Sequence, residues 1–289
     1  MPTRREFLRN SSLLAGGLLL APDALFAKRE AQKLLILHTN DFHSRLESFP
    51  DNHPKYPGQG GIARLKTLID QQRSSGDFSL LLDCGDVFQG TPYFNRFGGV
   101  PEYKWMNMAG YEATTLGNHD FDMGMEHLAD LIHNYARFAV VNCNYDVSKT
   151  PLKGLIKPFL VVNKGKLKIG ITGVGINPEG LIPAHLCLNM VYNDPVSSVQ
   201  EQVDILNKKM HCDTVIVLSH LGFEYPGNQI SDKKLAADTH GIQFILGGHT
   251  HTFLNDGPVG IDNKKGRKVV VNQAGWAGLV LGTLRLDFK

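Results

Sequence analysis

Five short clusters of side chains suited to metal binding recur along this chain: Asp41-x-His43, Asp86 behind Gly85, Asn118-His119-Asp120 behind Gly117, His220 behind Ser219, and His249-x-His251 behind Gly248. An Asp and a His two apart in extended chain project to one side and offer a cation one oxygen and one nitrogen. A Gly before an acidic residue lets the backbone turn sharply, which suits a carboxylate placed to bridge two cations. An Asn carbonyl ligates without adding charge, and an imidazole beside it can act as an acid. A carboxylate one or three positions on can orient that imidazole, so Asp120 and Asp122 both qualify as partners of His119. Each cluster alone is compatible with turn chemistry or core packing; five of them at the ends of successive apolar runs are not easily explained that way.

The elements that must position these clusters follow from periodicity. Lys33 to Leu37 and Phe78 to Leu82 are short apolar runs, the pattern of strands buried on both faces. Ala113 to Leu116, Phe138 to Val141, Thr214 to Leu218, Ile242 to Leu246 and Lys268 to Asn272 read likewise, and Gly278 to Phe288 closes the chain with further strand. Helical spacing appears from Ile62 to Ser74, before the Gly110 stop, at Leu128, Leu131 and Ile132, from Pro195 behind the cap Asp194, and over Ser231 to Thr239. Phe159 to Val162 and Leu167 to Thr172 predict a hairpin. The order is that of an α/β sheet protein, in which ligands gather beyond the carboxyl ends of strands. Gln89 to Phe94 reads as a loop over that edge. Arg64 reads as part of a solvated helix face, His38 as a core histidine and Asp83 as a cap or core contact.

The five clusters together resemble the calcineurin-like metallophosphoesterase superfamily, and within it the metallophosphatase domain of 5′-nucleotidases. Thr39-Asn40-Asp41, Phe88-Gln89-Gly90-Thr91-Pro92 and Phe121-Asp122 add to the likeness, which runs from about Lys33 to the C-terminus. The resemblance implies a four-layer α/β/β/α sandwich of two mixed sheets flanked by helices. It implies one metal held by Asp41, His43, Asp86 and His251 and a second by Asp86, Asn118, His220 and His249, with Asp86 as the bridge. Mixed carboxylate and imidazole ligands suit Zn²⁺, Mn²⁺ or Fe better than Mg²⁺. A hydroxide bridging two divalent ions would then attack phosphorus in line. His119 would contact the phosphate, oriented by Asp122. The implied activity is that of a 5′-nucleotidase-like phosphomonoesterase on nucleotides or other organic phosphates. The alternatives are a 2′,3′-cyclic-nucleotide phosphodiesterase or broad phosphatase and, from another class, a metal-loaded non-catalytic subunit. Full 5′-nucleotidases carry a second, C-terminal domain that contacts the nucleoside; with no such segment following Phe288, the expectation is that a separate C-terminal-domain polypeptide completes the site.

Other features bound the reading. The 289 residues are 42% hydrophobic and nearly charge-balanced at +2, so the chain can bury a full core and carries no electrostatic footprint for a nucleic acid polymer. Thr3-Arg4-Arg5-Glu6-Phe7-Leu8-Arg9, an apolar stretch from Leu13 to Ala21 and small residues to Ala27 resemble a twin-arginine export signal. The apolar stretch falls short of the roughly 20 residues that span a bilayer, and no Cys follows it to carry a lipid anchor. Residues 1–27 are therefore expected to be a removable signal, residues 28–289 a single metallophosphoesterase domain, and the location periplasmic or secreted. Four cysteines form no zinc-type spacing; Cys84 and Cys143 read as small buried strand hydrophobes, and an oxidising compartment would permit a Cys187–Cys212 bridge.

Overall fold

In β1 (Gln32–Thr39) consecutive side chains serve two different cores: Leu34 and Ile36 pack between two sheets, while Leu35 and Leu37 pack under helices. Both faces are covered, which is why the strand is apolar without alternation. The computed structural model describes residues 32–288, so the expected signal over residues 1–27 lies outside the described residues.

The first sheet runs in the order β14 (Gly282–Phe288), β1, β2 (Phe78–Asp83), β3 (Ala113–Thr114), β4 (Ala139–Val141), β6 (Ile156–Lys157), parallel throughout except where β14 meets β1. The second runs β12 (Val259–Asp262), β13 (Lys268–Gln273), β11 (Phe244–Gly247), β10 (Thr214–His220), β8 (Leu167–Gly175), β7 (Phe159–Lys164), with antiparallel strands only at its two edges. A small pair, β5 (Tyr145–Asp146) and β9 (Val191–Tyr192), lies apart.

Helices α1 (Ile62–Arg73), α2 (Pro92–Phe97), α3 (Val100–Ala109) and α4 (Gly124–Tyr135) belong to the first sheet, and Leu65, Ile69, Tyr103 and Leu128 join Leu35 and Leu81 in its outer core. Helices α5 (Pro195–Lys208) and α6 (Asp232–Asp238) cover the second through Val199, Val203, Leu206 and Leu235. The layers are thus helices, sheet, sheet, helices, the sandwich implied by the family resemblance. Each buried aliphatic side chain contributes about 1.5–3 kcal/mol over exposure. The start of α5 is as its sequence requires: the Asp194 carboxylate accepts from Ser197 N at 2.8 Å and Pro195 occupies the first turn, where its missing N–H costs nothing.

Register brings the strand ends level. Thr39 pairs with Asp83 and Asp83 with Thr114 in the first sheet; Ser219 pairs with Gly247 and Gly247 with Gln273 in the second. The ends of β1, β2, β3, β10 and β11 therefore lie along one rim, with His220 closing β10 itself and the other four clusters in the segments that follow their strands.

Several local expectations are corrected. The strand before Gly117 covers only Ala113–Thr114, and β5, β9 and β12 had no sequence signal strong enough to read. Pro92 opens a helix, stopped by Gly98 in the left-handed region, where a loop was expected. Arg64 does not merely face solvent: its Nη1 donates to the Leu279 carbonyl at 3.0 Å. Cys143 is half-buried just past β4 rather than a core strand residue, and all four cysteines are free, so the permitted Cys187–Cys212 bridge is not made.

Candidate metal centre

The loops after β1 and β2 are zipped together by backbone bonds: Asp41 N to the Gly85 carbonyl at 2.9 Å, His43 N to that of Asp86 at 3.1 Å, Ser44 N to that of Val87 at 2.9 Å. To do this the chain adopts left-handed backbone at Asp41, His43, Ser44 and Asp86, and across the cleft at His249 and His251. Left-handed φ at a non-glycine residue costs of order a kcal/mol, and it recurs here at the residues whose side chains converge. Gly85 and Gly117 make the close crossing possible: a Cβ on Gly117 would overlap the Asp86 carboxylate, and one on Gly85 would strike the Gly117 backbone.

Two groups of ligand-type atoms result, Asp41/His43/His251 and Asp86/His220/His249. The His43 and His251 Nε2 atoms lie 3.0 Å apart, and Asp41 Oδ1 is 3.3 Å from His251 Nε2. His220 Nε2 is 3.1 Å from Asp86 Oδ2 and 3.9 Å from Asp41 Oδ1, so the groups are neighbours. Asp41 is held by His249 N at 2.9 Å and Asn40 Nδ2 at 2.6 Å; Asp86 Oδ1 accepts from His119 N at 2.8 Å.

The tautomers decide what this arrangement needs. His43 Nδ1 faces the Phe88 and Gln89 carbonyls at 3.3 and 3.2 Å, and His220 Nδ1 faces the Cys84 carbonyl at 2.7 Å. A carbonyl only accepts, so Nδ1 carries the proton and each neutral ring turns a bare Nε2 inward. Bare Nε2 atoms then meet carboxylate oxygens, lone pair against lone pair. The His220 Nε2 and the Asn118 Oδ1 are buried without hydrogen-bond partners. Only positive charge resolves such a set, and the donor types fit a pair of divalent cations.

The proton equilibria agree. Burial opposes charge on His220, yet the Asp86 carboxylate outweighs it and lifts the imidazole to about 10. Burial also pushes the Asp86 carboxyl upward, but His220, His43 and His119 together draw it well below the usual range. Burial lowers His43, and burial together with His220 takes His249 to about 4. Without a cation the buried carboxylate draws a proton onto His220 as a substitute.

His119 stands at the mouth, its side chain 36% exposed, with Nδ1 3.0 Å from Asp122 Oδ2; that contact raises the imidazole above its ordinary value. Asp120 is engaged elsewhere, accepting from the backbone N–H groups of Gly117 at 2.8 Å, Asp86 at 3.1 Å and Val87 at 3.0 Å. The choice open in the sequence therefore falls to Asp122. A cleft of about 350 Å³ is lined by His43, Asp86, Asn118, His119, His249 and His251 together with Gln89, Gly90 and Trp276. Asp41 and His220 are fully buried. A larger hollow of about 720 Å³ between residues 46–51 and the start of α1 gathers no metal-ligating set.

Of the histidines and acids weighed from sequence, His38 and Asp83 stay out. His38 is buried with Nε2 2.9 Å from Asn272 Nδ2, while its Nδ1 has no partner, and burial lowers it to about 4. Asp83 accepts from Thr39, Thr114 and Gly85 N. Sequence reading missed Trp276, Gln273 and Asp232, and took Asn40 only as part of the family likeness; their roles depend on contacts between distant segments.

Asp232 is the keystone under the histidine loops. Its carboxyl accepts from Ser219 Oγ at 2.5 Å and Gln273 Nε2 at 3.0 Å, while Gln273 also donates to the Gly248 carbonyl at 2.8 Å. Burial lifts that carboxyl to about 7, above the ~3.9 of an unfolded chain. Between those values the folded protein keeps a proton that the unfolded chain releases, so this contribution to stability is full at low pH and lost as pH rises toward 7. The melting temperature of Asp232→Asn relative to wild type is thus expected to rise from about pH 4 to about pH 8 in circular-dichroism melts. A constant offset between the two proteins would show that Asp232 does not titrate in this way.

Comparison with known proteins follows the same lines. The family described as calcineurin-like phosphoesterase matches residues 34–253. The 5′-nucleotidase of Rattus norvegicus is 36% identical over 94% of this chain and 50% of its own length, and that of Homo sapiens 36% over 96% and 49%. Among solved structures, a 5′-nucleotidase precursor from Thermus thermophilus is similar with a TM-score of 0.76 and 35% identity, covering 89% of this chain and 52% of that one. A calcineurin-like phosphoesterase from Bacillus subtilis gives 0.70 and 26%, covering 89% and 85%. The chain spans about half the length of the curated relatives it matches.

Proposed function

Because this chain belongs to the calcineurin-like phosphoesterase family, we propose that its cleft hydrolyses phosphate monoesters, 5′-nucleotides foremost, with two divalent cations held by the groups described above. Asp41, His43 and His251 would hold one and His220, His249 and Asn118 the other, with Asp86 available to both. The observation that carries this reading is the pair of bare Nε2 atoms, on His43 and His220, turned toward the Asp41 and Asp86 carboxylates, with an unpartnered Asn118 carbonyl beside them. The names of the 5′-nucleotidase relatives support the substrate class.

When bound, such a pair supplies Lewis acidity and neutralises phosphoryl charge for attack on phosphorus, a reaction among the slowest known without a catalyst. The chain's own groups do the rest. His119, raised by its contact with Asp122, presents a ring to the cleft from which a proton can be donated toward a phosphoryl or leaving oxygen. The carbonyls of Phe88, Gln89 and Cys84 fix the rings of His43 and His220, so little reorganisation is needed during reaction. Among the residues lining the cleft, Trp276 is the one large aromatic besides histidine, and one of its two faces is taken by His251, which leaves no pair of rings to clamp a base. Contacts to a nucleobase are therefore assigned to a second body, a C-terminal-domain polypeptide.

Residues 28–289 are taken as one domain, supported by the pairing of β14 with β1, which joins late chain to early chain in one sheet. The Arg4-Arg5 segment supports export by the twin-arginine route, to periplasm or medium. Among the described residues no helix is long and apolar enough to cross a membrane.

Metal analysis followed by assays on an aryl phosphate and then on nucleotides tests the reading. Hydrolysis in Mn²⁺ or Zn²⁺ is expected to disappear with chelator and return on re-addition of the ion. A protein that holds two cations yet turns nothing over would instead be a non-catalytic subunit, and selectivity gained only on adding a C-terminal-domain polypeptide would establish the second body.

A further inference from the structure

His251 lacks the backbone carbonyl that fixes the rings of His43 and His220 at Nδ1. Among the described residues the His251 ring has polar contacts only through Nε2, with His43 Nε2 at 3.0 Å and Asp41 Oδ1 at 3.3 Å. Its side chain is 38% exposed. What holds the ring is Trp276, stacked on it with planes 5° apart and centroids separated by 5.4 Å. Trp276 also presents an edge contact to His43 at 6.4 Å and is itself backed by Phe49 at 5.7 Å and Tyr56 at 6.4 Å.

The turn that carries Trp276 is fastened to the third member of the same group. Ala277 N donates to the Asp41 carbonyl at 2.8 Å, and Ala274 N donates to Asn40 Oδ1 at 2.8 Å. Asn40 Nδ2 in turn donates both to the Gly275 carbonyl and to Asp41 Oδ2, at 2.6 Å each. A segment that supplies no ligand thus touches Asp41, His43 and His251. The ring contacts of Trp276 include none of Asp86, His220 or His249.

Resting on the dinuclear reading above, we propose that Trp276 is a positioning residue for one of the two cations only, presetting the His251 imidazole through stacking so that the two ions bind with separable affinities. Groups that orient a metal ligand without touching the metal commonly change its affinity by about 10- to 100-fold. Stacking restricts rotation of the ring as a hydrogen bond would, and phenylalanine can partly reproduce it whereas alanine cannot.

The experiment is a Mn²⁺ titration of the purified wild type, Trp276→Ala and Trp276→Phe, with bound metal counted after gel filtration and tryptophan emission followed in parallel. The chain has two tryptophans, and the other, Trp105, lies in the outer core on α3. Wild type is expected to retain two equivalents and to show an emission change on binding. Trp276→Ala should retain one, with the other site weakened about 10- to 100-fold; Trp276→Phe should recover much of the second equivalent while the emission change is lost. Two equivalents held as tightly by Trp276→Ala as by wild type would overturn this inference and leave the dinuclear reading standing, as would equal weakening at both sites. A wild type that binds no metal would overturn both.

Discussion

Asp86→Asn is expected to lower phosphoester turnover by more than about 10³-fold and to leave the protein unable to retain two cations, while its fold persists. Asparagine tolerates left-handed backbone and is nearly the same shape, so the substitution removes charge and little else. The loss is expected to be large because in the proposed function this carboxylate serves both cations: Oδ2 lies 3.1 Å from His220 Nε2, Oδ1 accepts from His119 N at 2.8 Å, and its own N–H is held by Asp120 at 3.1 Å. Metal content by elemental analysis, circular dichroism and turnover on an aryl phosphate check the expectation together. Turnover within tenfold of wild type, with both ions retained, would mean that Asp86 is not shared.

His119→Ala should behave differently, keeping both cations and losing roughly 10²-fold or more in turnover. Its imidazole is absent from both candidate ligand groups, points into the cleft and is paired with Asp122 at 3.0 Å. The measurement that matters is metal stoichiometry beside kcat. Wild-type kcat in the variant removes His119 from the chemistry, whereas loss of one ion would make it a ligand or a ligand support. Because Asp122 contacts the His119 ring and does not itself line the cleft, Asp122→Asn should lower kcat by less than His119→Ala does.

Much of this site could be read before any coordinates. Apolar runs covered on both faces announce themselves without alternation, and the polar clusters sit where those runs stop, so Asp41, His43, Asp86, Asn118, His220, His249 and His251 could be expected to gather at one rim, where the structure brings them near one another. The partner of His119 was not: Asp120 and Asp122 both lie near it, and only the tight turn over His119–Phe121 sends Asp120 toward three backbone amides and Asp122 toward the ring. Trp276 was invisible for another reason. Its contact with His251 spans a strand reversal, and no periodicity links positions that meet only after β13 has paired with β11. The short β12 escaped because Val259-Gly-Ile-Asp is too brief and too glycine-interrupted to stand out, and Arg64 was misjudged because the carbonyl it serves belongs to a residue more than two hundred positions away.

The left-handed backbone at Asp41, His43, Asp86, His249 and His251 has an implication for anyone breeding sturdier versions of this protein. A library sorted only for survival of heating would be drawn to glycine at His43, His249 and His251, where glycine relaxes the turn without stripping a backbone N–H of its acceptor as it would at Asp41 and Asp86. Such winners would be tougher and inert. Heat resistance should therefore be sought in the helices and outer cores, with selection for catalysis applied in the same round.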